Sequence, residues 1–358
     1  MKKKVIIGAI LIIIVIMISI IISIKPNGAE KKKDKVIEEK RMSLVMVGDV
    51  LIHEAVYKDA LNSDGTYSFD KMFKQIKPIL KDYDLKYCNQ ESIIGGSDLE
   101  ISGYPAFNSP DEIGDTITKL GFNLIGLANN HAFDKGEKAV IYSNNYWNKK
   151  NVITSGSYLS QEQRDNIEVY EQNGIKYAFL AYTTGINGNN LPSDKEYLIN
   201  IYDKEKVKND INKIKNKVDF IMVAMHWGDE YTNTPTNIQK EIANYLSGLG
   251  VNLIIGTHPH VVQPIEYIDD TLVIYSLGNF ISNQLVIGEN PAIGLLLGIE
   301  IKLDKKITMQ INKKELIYSY SDNSTNFQVI PFSKMNDKVL PNYKKIEEKY
   351  LNIIGNIK

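Results

Sequence analysis

Leu44-Val45-Met46-Val47-Gly48-Asp49 is a short apolar run that ends on a glycine and a carboxylate, and the same device recurs down the chain. Leu85–Cys88 runs into Asn89-Gln90-Glu91, and Asn123–Leu127 into Asn129-Asn130-His131. Phe220–Met225 runs into His226-Trp227-Gly228-Asp229-Glu230, Asn252–Ile255 into Gly256-Thr257-His258-Pro259-His260, and Leu272–Tyr275 into Ser276-Leu277-Gly278-Asn279-Phe280. Val152–Thr154 and Tyr177–Ala181 are further strand-like runs. Short apolar runs alternating with amphipathic stretches predict an α/β domain. Ligands of open α/β sheets gather beyond the carboxyl ends of the strands, where loops converge over a rigid edge. Core satisfaction alone would scatter such polar clusters over both ends of a sheet.

Signals between the runs place the helices. Ser109-Pro110-Asp111-Glu112 reads as a capping box with proline at the first helical position, and Gly121 as the stop. Thr234-Pro235 starts another helix, Asp203 caps a lysine-rich one, and Asn173-Gly174 marks a hairpin turn. Gly294–Leu303 and Ile307–Ile317 alternate as strands that complete the domain, and Pro341–Ile354 reads as a terminal helix. No internal repeat is visible.

Net charge is −1 with a pI near 6.6, which gives no electrostatic case for nucleic acid as a partner. Cys88 is the only cysteine, so an intrachain disulfide and a zinc-finger-type site are both excluded. Lys2, Lys3 and Lys4 precede an uncharged apolar run from Val5 to Ile24. At about 1.5 Å per residue this run spans a hydrocarbon core of roughly 30 Å. It is expected to be an uncleaved single-pass anchor rather than a signal peptide, whose apolar core is shorter. The organisation expected is a cytoplasmic tail over 1–4, an anchor over 5–24 in membrane lipid, and a charged linker over 25–42. An extracytoplasmic domain follows over 43–285, completed by 286–358.

His131, His226, His258 and His260 stand in these motifs, and the fifth histidine, His53, follows Gly48-Asp49. With Asp49, Glu91 and Asn130 they form a sulfur-free set of imidazoles and hard oxygens, suited to manganese, iron, zinc or magnesium. Asp49, His53, Glu91, Asn130, His226, His258 and His260 suffice for one or two divalent ions, with Glu91 as the candidate bridge. His131 is then free to act as a general acid. Asp134 either orients that histidine or caps a helix beginning at Lys135. Trp227, Glu230 and Tyr231 either line a cleft or join the core, Gln263 and Asn279 are expected to satisfy loop backbone groups, and Tyr104–Pro110 is a loop able to cover the site.

Gly48–His53, Asn89-Gln90-Glu91, Ala128–Gly136, His226–Tyr231, Gly256–Pro264 and Tyr275–Phe280, in this order, resemble the motifs of the CapA (PgsA) family of poly-γ-glutamate capsule proteins. The resemblance covers about residues 43 to 285. It implies a four-layer αββα metallophosphatase-like sandwich behind an N-terminal transmembrane helix, needed for making or exporting poly-γ-glutamate. It implies Asp49 and His260 on one metal, Glu91 as bridge, Asn130, His226 and His258 on the other, and His131 beside the leaving group. Implied partners are poly-γ-glutamate or a related anionic polymer and capsule synthase membrane proteins. The chain departs from the metallophosphatase pattern at three places: His53 lies four residues after Asp49 rather than two, Glu91 replaces an aspartate, and Thr257 stands where many relatives carry histidine. Two functions stay open: a metal-dependent hydrolase or transferase acting on a phosphate ester or γ-glutamyl amide, and a non-catalytic assembly factor.

Overall fold

A computed structural model describes residues 39–284 and 291–355. The expected tail, the anchor over 5–24 and the linker up to residue 38 lie outside the described residues. Among the described residues no helix is long and apolar enough to cross a membrane. The last part of the expected linker is not a tether. Residues 40–42 open strand β1 (Lys40–Val50), where Arg41 pairs with Lys302 and Met42 with Ile301, and Met42 is buried. Backbone pairing with a strand from the far end of the chain outweighs the local charge density there.

In chain order the elements after β1 are α1 (Glu54–Ala60), α2 (Lys77–Leu80), β2 (Leu85–Gln90), α3 (Asp111–Lys119), β3 (Leu124–Gly126), α4 (Gly136–Trp147), β4 (Ile153–Ser155) and α5 (Gln161–Asp165). They continue with β5 (Tyr170–Gln172), β6 (Ile175–Thr183), α6 (Lys204–Ile214), β7 (Phe220–His226), α7 (Asn237–Gly248), β8 (Leu253–Thr257), β9 (Ile265–Ile268) and β10 (Thr271–Ile274). The chain closes with β11 (Asn279–Ile281), β12 (Ile293–Leu303), β13 (Ile307–Asp322), β14 (Thr325–Pro331) and α8 (Tyr343–Ile354). One sheet has the order β14-β13-β12-β1-β2-β3-β4, with β11 pairing the end of β1, and the other runs β5-β6-β7-β8-β10-β9.

Alternate residues of each central strand serve different layers, as the two-residue period of a strand requires. Met46 and Tyr87 of the first sheet meet Phe179, Met222 and Leu253 of the second in one buried cluster between the sheets. Val45, Val47 and Ile125 face outward onto Ile113, Ile117 and Trp147 of α3 and α4. Leu180, Val223 and Ile254 face outward onto Ile211, Ile242 and Leu246 of α6 and α7. Strands covered on both faces read as unbroken apolar runs, which is why the parallel strands were legible.

Local expectations fared unevenly. Asp203 caps α6 through Lys206 N at 2.8 Å, Asn173-Gly174 turns the β5-β6 hairpin with both φ values positive, and Gly121 ends α3 at φ +92°. The capping box at Ser109 does not form. Pro110 is the N-cap, Ser109 Oγ instead bonds Ser92 Oγ at 2.7 Å, and Glu112 accepts from Tyr67 N. The helix expected at Thr234-Pro235 starts two residues later, because Thr236 and Gln239 form a reciprocal capping box.

Candidate metal centre

Asp49 is aimed by an irregularity in β1. Between Met46 and Asp49 the register against β2 slips by one residue, a bulge that redirects the strand end. Gly48 makes it possible, since a Cβ there would lie 1.7 Å from the Gly278 carbonyl oxygen, and Asp49 N donates to that same oxygen at 3.0 Å. The carboxylate is then held by Asn89 Nδ2 at 2.7 Å and by the backbone N–H of His258 at 3.2 Å.

Glu91 is the first residue beyond β2, fully buried, and neither carboxylate oxygen has a hydrogen-bond partner. Beyond β3, Asn129 pins the turn by donating to Gln90 O and accepting from His131 N, which leaves Asn130 Oδ1 2.8 Å from His226 Nε2. His226 ends β7, and its Nδ1 faces Thr257 Oγ1 at 3.0 Å and Asn89 Nδ2 at 3.3 Å. His258 and His260 follow β8 at φ +96° and +61°. Left-handed backbone at a non-glycine residue costs on the order of 1–3 kcal/mol and persists where the surroundings over-determine it. His260 Nδ1 is held by Asn279 Oδ1 at 3.0 Å, so its Nε2 faces Glu91 at 3.7 Å.

Among the described residues three sets of side chains bring ligand atoms within 4.8 Å of one another: Glu91 with His226 and His258, Asp49 with Glu91 and His260, and Glu230 with His258 and His260. Burial, reinforced by the charges of Asp49, Glu230 and Asp134, pushes the Glu91 carboxyl well above its ordinary range. Burial likewise holds His226 well below the usual imidazole value and takes His258 down to about 3, each reinforced by neighbouring histidines. Without a cation the set is therefore strained electrostatically. Imidazole nitrogens, carboxylates and an amide oxygen are the donors a divalent ion takes, and Glu91 Oε1, Glu91 Oε2 and His258 Nδ1 are buried with no hydrogen-bond partner among the described residues. The residues fit such an ion.

His53 is the expected ligand that stands apart from these sets. It is the N-cap residue of α1, its Nδ1 faces Asn283 N at 3.2 Å, and its ring lies edge-on to Phe107. Burial lowers its pKa to about 4. The extra residues between Asp49 and His53 carry the ring into the cleft wall rather than to the carboxylates.

His131 and Asp134 form one unit. His131 Nδ1 lies 2.7 Å from Asp134 Oδ2, and the same oxygen accepts from Phe107 N at 2.8 Å. Asp134 thus orients the histidine, and α4 begins without it, at Lys135 as an N-cap lacking a side-chain bond. Phe107 also lies edge-on against the His131 ring, centroids 4.7 Å apart. Both belong to the wall of a cleft of about 810 Å³ that His53, Tyr104, Asn187, Glu230, Tyr231 and His260 also line. Trp227 does not line it: the ring is buried and donates to Tyr275 O at 2.9 Å. Gln263 serves loop backbone as expected, donating to Thr232 O.

Sequence reasoning passed over Asn89, Thr257 and Asn187 as working residues. Asn187 follows β6, reaches His131 Nδ1 at 3.2 Å and accepts from Asn130 Nδ2 at 3.1 Å. The signal was present, since Gly185-Ile186-Asn187-Gly188-Asn189 is a polar cluster after a strand-like run like the others. Asn279 likewise does more than satisfy backbone, because it holds His260.

Residues 43–284 match the profile of the bacterial capsule synthesis protein PGA_cap family. The PGA biosynthesis protein CapA of Bacillus subtilis (strain 168) is 29% identical over 273 residues, 72% of this chain and 67% of that protein. The capsule biosynthesis protein CapA of Bacillus anthracis is 27% identical over 255 residues, 69% of this chain and 61% of that protein. This chain therefore matches about two thirds of the length of these relatives. Among solved structures, the NAD nucleotidase NadN of Haemophilus influenzae aligns over 89% of this chain and 64% of that one, with TM-score 0.47 and 13% identity. The motifs at the strand ends and the extent of the profile match agree, and the chain belongs to the bacterial capsule synthesis protein PGA_cap family.

Proposed function

We propose that this chain is a membrane-anchored capsule biosynthesis protein of CapA type whose metal centre performs hydrolysis or transfer on the capsule polymer or a phosphate ester. The polymer is poly-γ-glutamate or a related anionic chain. Val5–Ile24 anchors it in the membrane, the domain lies outside the cytoplasm, and capsule synthase membrane proteins are its partners. The observation that carries the catalytic reading is Glu91, whose two buried, unpartnered oxygens sit between two ligand sets. Asp49, Glu91 and His260 would hold one divalent ion, and Glu91, Asn130, His226 and His258 a second, as the likeness to a four-layer αββα metallophosphatase-like sandwich suggests. Manganese, iron or zinc suits these donors.

Ions held there would supply Lewis-acid activation and charge neutralisation at the group attacked. The rest of the work falls to side chains. Asp134 holds Nδ1 of His131, so Nε2 is free to donate a proton to the leaving group. Phe107, edge-on to that ring, keeps it from turning, and Asn279 and Thr257 keep the Nε2 atoms of His260 and His226 turned toward the ligand sets.

Elemental analysis of the full chain purified without a histidine tag tests this. At least one equivalent of transition metal is expected, lost in Glu91→Ala and His258→Ala with secondary structure retained. Absence of metal from the wild-type chain refutes the reading. Full capsule production by a metal-retaining His131→Ala variant refutes catalysis and leaves the domain as an assembly factor.

A further inference from the structure

The proposed function leaves two bond types open, a phosphate ester and a carboxamide. Glu230 distinguishes them. It is exposed on the cleft side of the centre, and its carboxylate lies within 4.8 Å of ring nitrogens of His258 and His260, one from each proposed ligand set. Glu91 thus spans both sets from the buried side and Glu230 from the open side. The loop that carries Glu230 is fixed at both ends. Trp227 before it is buried and its backbone N–H donates to Thr257 O at 3.1 Å, and Tyr231 after it sits at φ +62° and its backbone N–H donates to Pro259 O at 2.8 Å. Tyr231 Oη also accepts from Gln284 Nε2 at 3.1 Å. The carboxylate is presented to the cleft by a braced backbone.

A phosphate ester carries its negative charge on the oxygens of the reacting atom itself, and a fixed carboxylate facing that atom repels it. A carboxamide is uncharged at its reacting carbon, even in a polymer whose residues bear carboxylates elsewhere. Divalent ions in the proposed ligand sets would offset part of that repulsion, so Glu230 weakens phosphate binding rather than abolishing it; among the described residues lining the cleft there is no lysine or arginine to add to them, and the other polar groups there include Asn130, Asn187, Asn189 and Gln284, which suit an amide by hydrogen bonding.

We propose that the cleft takes a carboxamide bond rather than a phosphate ester, and that Glu230 sets this preference and accepts the proton of the attacking water. This rests on the metal-centre reading above. The water oxygen bonds to the carbonyl carbon as Glu230 takes one of its protons, and the carbon–nitrogen bond breaks as His131 donates a proton to the departing nitrogen. The proton on Glu230 then returns to His131 through solvent. One amide and one water give one carboxylic acid and one amine.

The test compares metal-loaded full-length wild type and Glu230→Gln by elemental analysis, by calorimetric titration with inorganic phosphate, and by turnover of γ-glutamyl-p-nitroanilide and p-nitrophenyl phosphate. Expected are equal metal contents, phosphate bound about tenfold more tightly by the variant, which is about 1.4 kcal/mol, and a wild type that prefers the anilide. Anilide turnover falls at least about 100-fold in the variant if Glu230 is the base. Loss of a metal equivalent in the variant makes Glu230 a ligand and overturns the proposal. So does unchanged phosphate affinity, or a wild type that prefers the phosphate ester. A wild type that binds no metal overturns the proposed function as well, whereas metal retained with unchanged phosphate affinity overturns only the role of Glu230.

Discussion

Glu91→Gln is expected to stabilise the metal-free protein and to cripple the metal-loaded one. The Glu91 carboxylate is fully buried with both oxygens unpartnered among the described residues, and imidazole nitrogens of His226 and His260 lie 3.6 and 3.7 Å away, beyond hydrogen-bond distance. A buried charge without a partner costs about 3–5 kcal/mol, and a buried amide left unsatisfied about 1–3 kcal/mol. The difference gives a gain of about 2 kcal/mol for glutamine near neutral pH. The sign follows from burial raising the folded-state pKa of Glu91 above its ordinary value near 4.5. Its contribution is fully favourable below that value and is lost as pH rises toward the folded-state pKa, at up to about 1.4 kcal/mol per pH unit. Subtracting the variant from the wild type cancels the opposing histidine titrations. Urea denaturation of chelator-treated full chain between pH 5 and 8 should show the variant gaining on wild type as pH rises. With metal at about 100 times its dissociation constant the order reverses, because wild type alone gains about 2.7 kcal/mol. A metal-free variant no more stable than wild type at pH 8 would falsify the view that Glu91 is a charge awaiting a cation.

Two further substitutions probe other parts of the site. Gly48→Ala places a methyl group 1.7 Å from the Gly278 carbonyl oxygen and must break the Asp49 N to Gly278 O bond, so a loss of about 3–5 kcal/mol in denaturation and weaker metal binding are expected; a loss under about 1 kcal/mol by the same measurement counts against the bulge as a positioning device. Asp134→Asn removes the negative charge beside His131 Nδ1 and leaves a neutral amide oxygen as the acceptor shared with Phe107 N, and should lower turnover by roughly 10–100-fold with metal content unchanged. Equal turnover in a steady-state assay would show that His131 needs no such support.

The chain's family and the gathering of its polar motifs at strand ends were legible because both rest on local pattern. Apolar runs such as Leu44–Val47 and Phe220–Met225 are strands covered on both faces, and their polar sequels fall at carboxyl ends because parallel strands share one edge. What the sequence alone determined is therefore the α/β class and the strand ends, with Asp49, Glu91, Asn130, His226, His258 and His260 as expected ligands at those ends. Tertiary structure decided their partnerships. That Asp134 braces His131 rather than capping α4, that Asn187 reaches across from the second sheet, and that His53 turns to the cleft wall all depend on how two sheets stack and how β1 slips at Gly48. The same holds for Ser109, drawn from its helix to Ser92, and for residues 40–42, drawn into β1 by β12. Periodicity is a property of neighbours along the chain, whereas the contacts that aim a side chain come from segments that only folding brings together.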